Sequence, residues 1–342
     1  MVEIKKEGIV LRKTDLSFEN EGVLNPAVIK ENGKIHLFYR AVAKGNFSSI
    51  GYCVLSDPLT IENRSDIPII ISESEDEKHG IEDPRIVKID GLFYLTYTSY
   101  DGINALGTLK TSKDLKSWKS EGIIVPKIPY EEFKLLSESE GLIPEKYKRY
   151  NQFQISHLDS DPIFLWDKNL IFFPRKINGR FYFLHRIRPE IQIVSVENIE
   201  DLNSDFWQDY FSHFKDHILL SPKYDHESSY IGGGCPPIET EYGWLMIYHG
   251  VHDTVQGYVY NACAALLDLE NPEKEISRLP YPLFKPEEEW ELKGEVNNVC
   301  FPTGTVVEND TLYIYYGAAD ERIAVASLSI SKLLKELMMY AV

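Results

Sequence analysis

Cysteine is scarce in this chain. Cys53, Cys235, Cys263 and Cys300 are the only four in 342 residues, and none forms a CxxC pair. That spacing excludes a zinc knuckle and a disulfide framework and leaves buried, reduced thiols as the expectation. No stretch reaches the ~20 apolar residues of a membrane helix. The start, Met1-Val2-Glu3-Ile4-Lys5-Lys6-Glu7, has no apolar segment of the secretory kind, so a cytoplasmic protein without membrane contact is expected. Positive charge is also in short supply. Lys and Arg number 36 against 53 Asp and Glu, a net −17 with no basic patch, which argues against a nucleic-acid surface. Gly232-Gly233-Gly234 is not followed by the Gly-Lys-Ser/Thr of a P-loop, there is no GxSxG, and His249 and His252 lack a clustered third ligand. No metal and no cofactor is therefore expected. The glycine run reads as backbone passing close to a ligand or another strand. The acidic runs 73–77 and 287–289 read as solvated loop faces.

Aromatic residues are plentiful, with 21 Tyr, 16 Phe and 5 Trp, and they suit pleated strands. They sit in a repeated pattern. In Pro84-Arg85-Ile86-Val87-Lys88-Ile89-Asp90-Gly91-Leu92-Phe93-Tyr94-Leu95-Thr96-Tyr97 a proline precedes a short strand, an Asp-Gly turn follows, and an aromatic strand returns. The same pattern recurs after Pro26, Pro174, Pro237 and Pro302. Six residues separate the turn residue from a closing Tyr or His each time: Gly33 to Tyr39, Gly91 to Tyr97, Gly179 to His185, Gly243 to His249, Asp310 to Tyr316. Five hairpin units with further strand-like runs between them, such as 50–55 and 258–267, predict an all-β five-bladed β-propeller in preference to a large β-sandwich. The expectation is a single catalytic domain over residues 1–342. Short helical insertions are predicted at 130–136, 144–150 and 204–211, and a closing C-terminal helix with a Ser cap over 329–339.

If the hairpins radiate from one axis, their equivalent positions bring Asn25, Arg40, Asp83, Arg85, His185, Arg186, His249 and Asp320 toward it. Buried charge is costly unless paired, so such a concentration points to function. Glu82-Asp83-Pro84-Arg85 at the entrance of the second hairpin is the densest part. Carboxylates, arginines and aromatics without a cofactor motif suggest glycoside chemistry.

These residues resemble glycoside hydrolase family 130, which comprises β-mannoside phosphorylases and β-1,2-mannosidases on five-bladed propellers. The resemblance is carried by Asn25-Pro26, Tyr39-Arg40-Ala41, Ile50-Gly51-Tyr52, Glu82-Asp83-Pro84-Arg85, Phe173-Pro174, Leu184-His185-Arg186, 232–237, Tyr248-His249-Gly250 and Tyr316-Gly317-Ala318-Ala319-Asp320. It implies that Asp83 is the catalytic acid of an inverting enzyme, its proton passing through a sugar hydroxyl in phosphorylases. Asn25, Arg40 and Asp83 would hold the mannose at the cleaved bond. Enclosure would raise the Asp83 pKa and Arg85 would lower it, and the sequence leaves the net sign open. Family phosphorylases hold phosphate with two arginines and a lysine. Here Arg186 matches the second arginine, Lys168 stands at the first, and Tyr230 replaces the lysine, with Tyr260 and Asp320 nearby. With one cation missing and Glu227 close, the resemblance leads to an inverting exo-β-mannosidase on β-1,2-linked mannosides. Glu227 is its first candidate base and Glu239 its second, roughly 6.5–9.5 Å from the acid. The alternatives are a phosphorylase with inorganic phosphate as co-substrate and a non-catalytic sugar-binding propeller. The inserts 129–157 and 203–229 would shape the acceptor subsites and any contact in a homo-oligomer.

Overall fold

A computed structural model describes residues 2–139, 141–151 and 163–341. Strands hold 49% of the chain and helices 15%, so the chain expected to be all-β is mostly β. Strand β1 (Lys5–Leu11) joins a sheet described last. Next come β2 (Gly22–Glu31), β3 (Lys34–Ala43), β4 (Phe47–Asp57) and β5 (Thr60–Arg64), then β6 (Gly80–Ile89), β7 (Leu92–Tyr100), β8 (Ala105–Ser112) and β9 (Lys119–Ile123). Each of these two sets is antiparallel, and a single parallel bridge, Ser48 to Gly80, joins them into one eight-stranded sheet. The third set is β10 (Lys168–Phe172), β11 (Phe181–Arg186), β12 (Ile191–Val196) and β13 (Ile218–Leu220). The fourth is β14 (Tyr230–Gly233), β15 (Ile238–Thr240), β16 (Gly243–Thr254), β17 (Gly257–Leu267) and β18 (Glu275–Arg278). The last sheet has the order β1, β21 (Arg322–Ser329), β20 (Thr311–Ala318), β19 (Cys300–Glu308), so the N-terminal strand pairs with the last strand of the chain.

The turns follow from their residues. Asn32-Gly33, Asp90-Gly91 and Asn178-Gly179 all take positive φ, the tight-turn geometry that these pairs adopt at least cost.

The six-residue spacing also has a physical basis. Tyr39 donates to Glu19, Tyr97 to Glu77, Tyr248 to Glu227 and Tyr316 to Glu291, while His185 Nδ1 lies 2.8 Å from Asp167. All five carboxylates are buried. Each lies 18 to 25 residues upstream of its partner, in the segment leading into the unit. Three of them also accept the backbone N–H four residues earlier: Glu73 to Glu77, Lys223 to Glu227, and Glu287 to Glu291. A buried carboxylate must be paired, so each closing ring fastens the incoming connection to its own sheet.

Three expectations need correcting. In the fourth unit the turn falls at Glu241-Tyr242, ahead of strand residue Gly243, so the closing ring is Tyr248 and not His249. The acidic runs are also more than solvated faces. Glu73 pairs with the buried Lys110, Glu77 is itself buried, and Glu288 begins a helical turn that buries Glu291.

The predicted helices form as α1 (Tyr130–Ser137), α2 (Glu145–Asn151), α3 (Ser204–Ser212) and α5 (Ile330–Met338), and a short α4 (Glu289–Leu292) forms in place of an expected loop. Phe133 of α1 packs on Phe211 of α3 with ring centroids 5.3 Å apart. Both belong to a core shared with Leu109, Phe172 and Phe183 of the second and third sets. Residues 152–157 of the predicted insert lie outside the described residues. Ser329 caps α5 through the Lys332 N–H at 3.2 Å, and Leu333, Leu334 and Leu337 bury into the core of the last two sheets.

Candidate active site

The site begins with a backbone irregularity repeated in three first strands. The β2/β3 register shifts between Leu24 and Ala27, the β6/β7 register between Glu82 and Arg85, and the β10/β11 register between Lys168 and Ile171. Within each bulge one residue takes a left-handed conformation: Asn25, Asp83 and Asn169, with φ near 50°. Asn and Asp tolerate this region best among residues with a side chain. A bulge re-aims a side chain out of the sheet's alternation, and Asn25 Nδ2 thereby donates to Asp83 Oδ1 at 2.7 Å.

Charges gather around this pair. Arg40 reaches Glu82 at 2.8 Å and Asp83 at 3.7 Å, and donates to Ser48 Oγ at 2.9 Å. Lys168 is held by the other oxygen of Glu82, 3.1 Å away. Arg85 is also brought here but turns its donors onto backbone, the carbonyls of Asp83, Pro84 and Gly234. It braces the acid's own loop against the glycine segment and is itself buried, with Nη2 left without a partner among the described residues. Burial pushes the Asp83 carboxyl up, but Arg40, Lys168, Arg85 and the Asn25 bond together hold it below the usual range. The sign left open by the sequence is thus downward in the free protein. Asp320 goes the other way. Burial first, then the Asp83 carboxylate, pushes it up to about 6 against the pull of Arg40.

A second cluster faces this one and is basic. Arg186 Nη1 lies 3.4 Å from His249 Nε2, both side chains being buried. Arg188 lies 4.5 Å over the Tyr230 ring, and the Tyr230 and Tyr260 hydroxyls are hydrogen-bonded. Burial, then Arg188, pushes Arg186 down to about 10, while Asp83 and the two tyrosines act to raise it. His249 is held well below its usual value by burial and by Arg186, Arg85 and Arg188, so it is neutral at pH 7. Among the described residues neither arginine has a carboxylate partner, and Arg186 Nε and His249 Nδ1 are buried without one of any kind. Glycine is required at 232, since a Cβ there would lie 2.5 Å from the His249 ring and 2.7 Å from Asn169 Oδ1.

Three expected site residues do not join. His185 is fully buried between Asp167 and the Tyr210 hydroxyl, 2.7 Å from its Nε2. Glu227 is 0% exposed, with Tyr248, the Lys223 N–H and Arg278 (3.3 Å) on its oxygens, so it is engaged in the core and has no face on solvent from which to activate water. Its donors could form a metal cluster with His226 and Cys263, but the adjacent Arg278 guanidinium opposes a cation. Glu239 is exposed, bonded twice to Arg175, and opposite Trp244 in the β15/β16 register. At ~3.3 Å per residue that is roughly 17 Å along β16 from His249.

Glu82, Asn169 and Arg188 belong to the site and were not singled out from the sequence. Glu82 was in view beside Asp83. Asn169 lacks the following proline that marks Asn25 and Asp83, and only the alternation Arg186-Ile187-Arg188 hinted at a second arginine on the same side.

Comparison with known proteins shows the family. A family model described as beta-1,4-mannooligosaccharide phosphorylase matches residues 4–339. The chain is 34% identical to a 1,2-beta-oligomannan phosphorylase of Thermoanaerobacter sp. (strain X514), over 96% of this chain and 98% of that one. It is 37% identical to a beta-1,2-mannobiose phosphorylase of the same organism, over 92% of each. A solved structure of the Listeria innocua beta-1,2-mannobiose phosphorylase with beta-1,2-mannobiose superposes with a TM-score of 0.74. It is 23% identical and covers 98% of this chain and 99% of its own.

Proposed function

This chain belongs to glycoside hydrolase family 130, and we propose that it is a phosphorylase of β-1,2-linked manno-oligosaccharides. Phosphate would attack the anomeric carbon of the terminal mannose as the glycosidic bond breaks, giving mannose 1-phosphate with inverted configuration and a chain one unit shorter. The observation that carries the proposal is the buried Arg186 beside Arg188, without a carboxylate among the described residues to neutralise either. Two like charges held together in low dielectric are costly. A phosphate placed between them relieves that cost through charge-assisted bonds. Arg188, stacked on Tyr230, supplies the charge of the lysine that Tyr230 replaces. The hydrolytic reading expected from the sequence depended on a base at Glu227 or Glu239, and both carboxylates are engaged elsewhere.

Asp83 is the proposed acid. Asn25 and Arg40 would orient it and the sugar, with Asp320 lining the cavity beside Arg40 and Lys168, Tyr260 and His249 held close by in the two clusters. Ionised in the free protein, Asp83 gains proton affinity when a phosphate dianion settles nearby. Protonation is thereby tied to arrival of the co-substrate. We also read the five hairpin units as the blades of one propeller spanning the chain. Support comes from the repeated ring-to-carboxylate fastening and from the bulges at Asn25, Asp83 and Asn169.

Incubation with β-1,2-mannobiose, with and without phosphate, tests the reading. Mannose 1-phosphate that forms only with phosphate is expected. Free mannose released equally in both would overturn it. Arg188→Ala should raise the phosphate KM about tenfold or more, and Asp83→Asn should lower kcat roughly 10²- to 10⁴-fold.

A further inference from the structure

A cavity of about 460 Å³ opens beside the acid and is lined by Arg40, Asp320, Glu21, Glu295 and Asn46. Its polar, largely acidic wall suits a neutral polyhydroxylated ligand and repels an anion. The residue that follows Asn46 in the chain is Phe47, 48% exposed. A single exposed Phe is ordinary, but this one is fixed. It closes the tight β3/β4 turn by pairing with Ala43, and the turn is held by the Asn46 N–H on the Ala43 carbonyl at 3.1 Å and by positive φ at Gly45 and Asn46. One face of the ring is stacked on His79, with centroids 5.1 Å apart and planes 15° apart. His79 is in turn backed by Tyr100 at 6.0 Å and by Gly102, where a Cβ would lie 2.8 Å from the imidazole. Both neighbours of Phe47 in the chain belong to the site. Asn46 lines the cavity and Ser48 accepts from Arg40.

A fixed, half-exposed ring backed on one face by an imidazole fits the C–H face of a pyranose, which pairs apolar contact with orientation at little entropic cost. We propose that Phe47 is the stacking platform for an outer sugar ring of the oligomannoside, beyond the unit held by Asn25, Arg40 and Asp83, and so sets preference for chain length. The inference rests on the reading of the protein as a β-mannoside phosphorylase. The cavity's continuity with Arg40 and Asp320 makes the substrate's own chain the occupant.

The test compares β-1,2-mannobiose with β-1,2-mannotriose. In Phe47→Ala, kcat/KM for the triose should fall roughly fivefold more than for the biose, the difference lying in KM, and Phe47→Trp should restore the preference. An equal effect on both substrates, or none on either, overturns the proposal. If the wild-type protein turns over no β-mannoside, the parent reading fails, and calorimetry decides the platform separately. Weaker binding of mannotriose to Phe47→Ala than to wild type supports it. Equal affinity, or no binding to either, removes it.

Discussion

Asp83 and Asp320 are near enough to sense each other, and they divide one site into two protonation states. Asp83 is held low by Arg40, Lys168, Arg85 and Asn25, whereas Asp320 is pushed up to about 6 from 3.8. A carboxyl whose folded pKa is raised adds stability that is complete below its unfolded pKa and is lost as pH rises through the folded one. Asp320 should thus cost the fold up to about 3 kcal/mol between pH ~4 and ~6 and above. Asp83, with the opposite shift, loses its contribution only below pH ~4. Asp320→Asn should accordingly raise the thermal midpoint at pH 8 and leave it nearly unchanged near pH 4. Equal shifts at the two pH values would show that Asp320 is not the strained group. At this scale the sequence was legible where a residue type carries its own geometry. Asn25-Pro26 and Asp83-Pro84 marked the entrances of their hairpins, but the left-handed φ at Asn25 and Asp83 runs against the extended bias of a residue before proline and emerged only in the fold. Burial is not written in residue type, so Glu227 passed for a base because it stands near the glycine run.

The element that recurs is the hairpin with its fastened ring. Its five copies were visible from the turn pairs and the six-residue spacing. The partner carboxylates were not, since a contact across 18 to 25 residues leaves no local periodicity. The fourth copy slipped by one because Gly243 begins a strand in place of ending a turn. Glu227→Gln separates the two roles offered for that residue. As a fastening it removes one of the two carboxylates on the buried Arg278, Glu275 staying at 2.7 Å, and unfolding free energy should drop by about 1–3 kcal/mol while kcat of the folded fraction stays within about twofold. A base would lose about 10²-fold or more, and such a loss without destabilisation would restore it to the chemistry.

At the scale of the molecule, a phosphorylase of net charge −17 would have to attract a phosphate dianion against its own field, a task that would fall to the locally basic cluster of Arg186 and Arg188. The whole is held at its N-terminal side by Lys6 of β1. The ammonium contacts the buried Glu291 at 2.5 Å and lies 4.3 Å over Phe284 and 5.1 Å over Tyr316. Lys6→Ala should cost about 3 kcal/mol by stranding Glu291. Chemical denaturation gives the value, and a change under about 0.5 kcal/mol, the usual range for a surface position, would mean that the pair is not needed. No helix among the described residues is long and apolar enough to cross a membrane. Antiparallel pairing of the first strand with the last could not be read from hydrophobic pattern, because pattern reports which face a strand buries and not its neighbour.

That pairing sets a timetable for synthesis. Lys5 lies opposite Ser327, and at ~5–20 residues per second the ribosome needs roughly 15–65 s to make the intervening chain. Over that interval β1 has left the ribosome and its partner does not yet exist. The amphipathic strand waits with unpaired edges, open to wrong partners. Its two lysines and Glu7 are the kind of charge that keeps a waiting edge from joining a stranger's sheet.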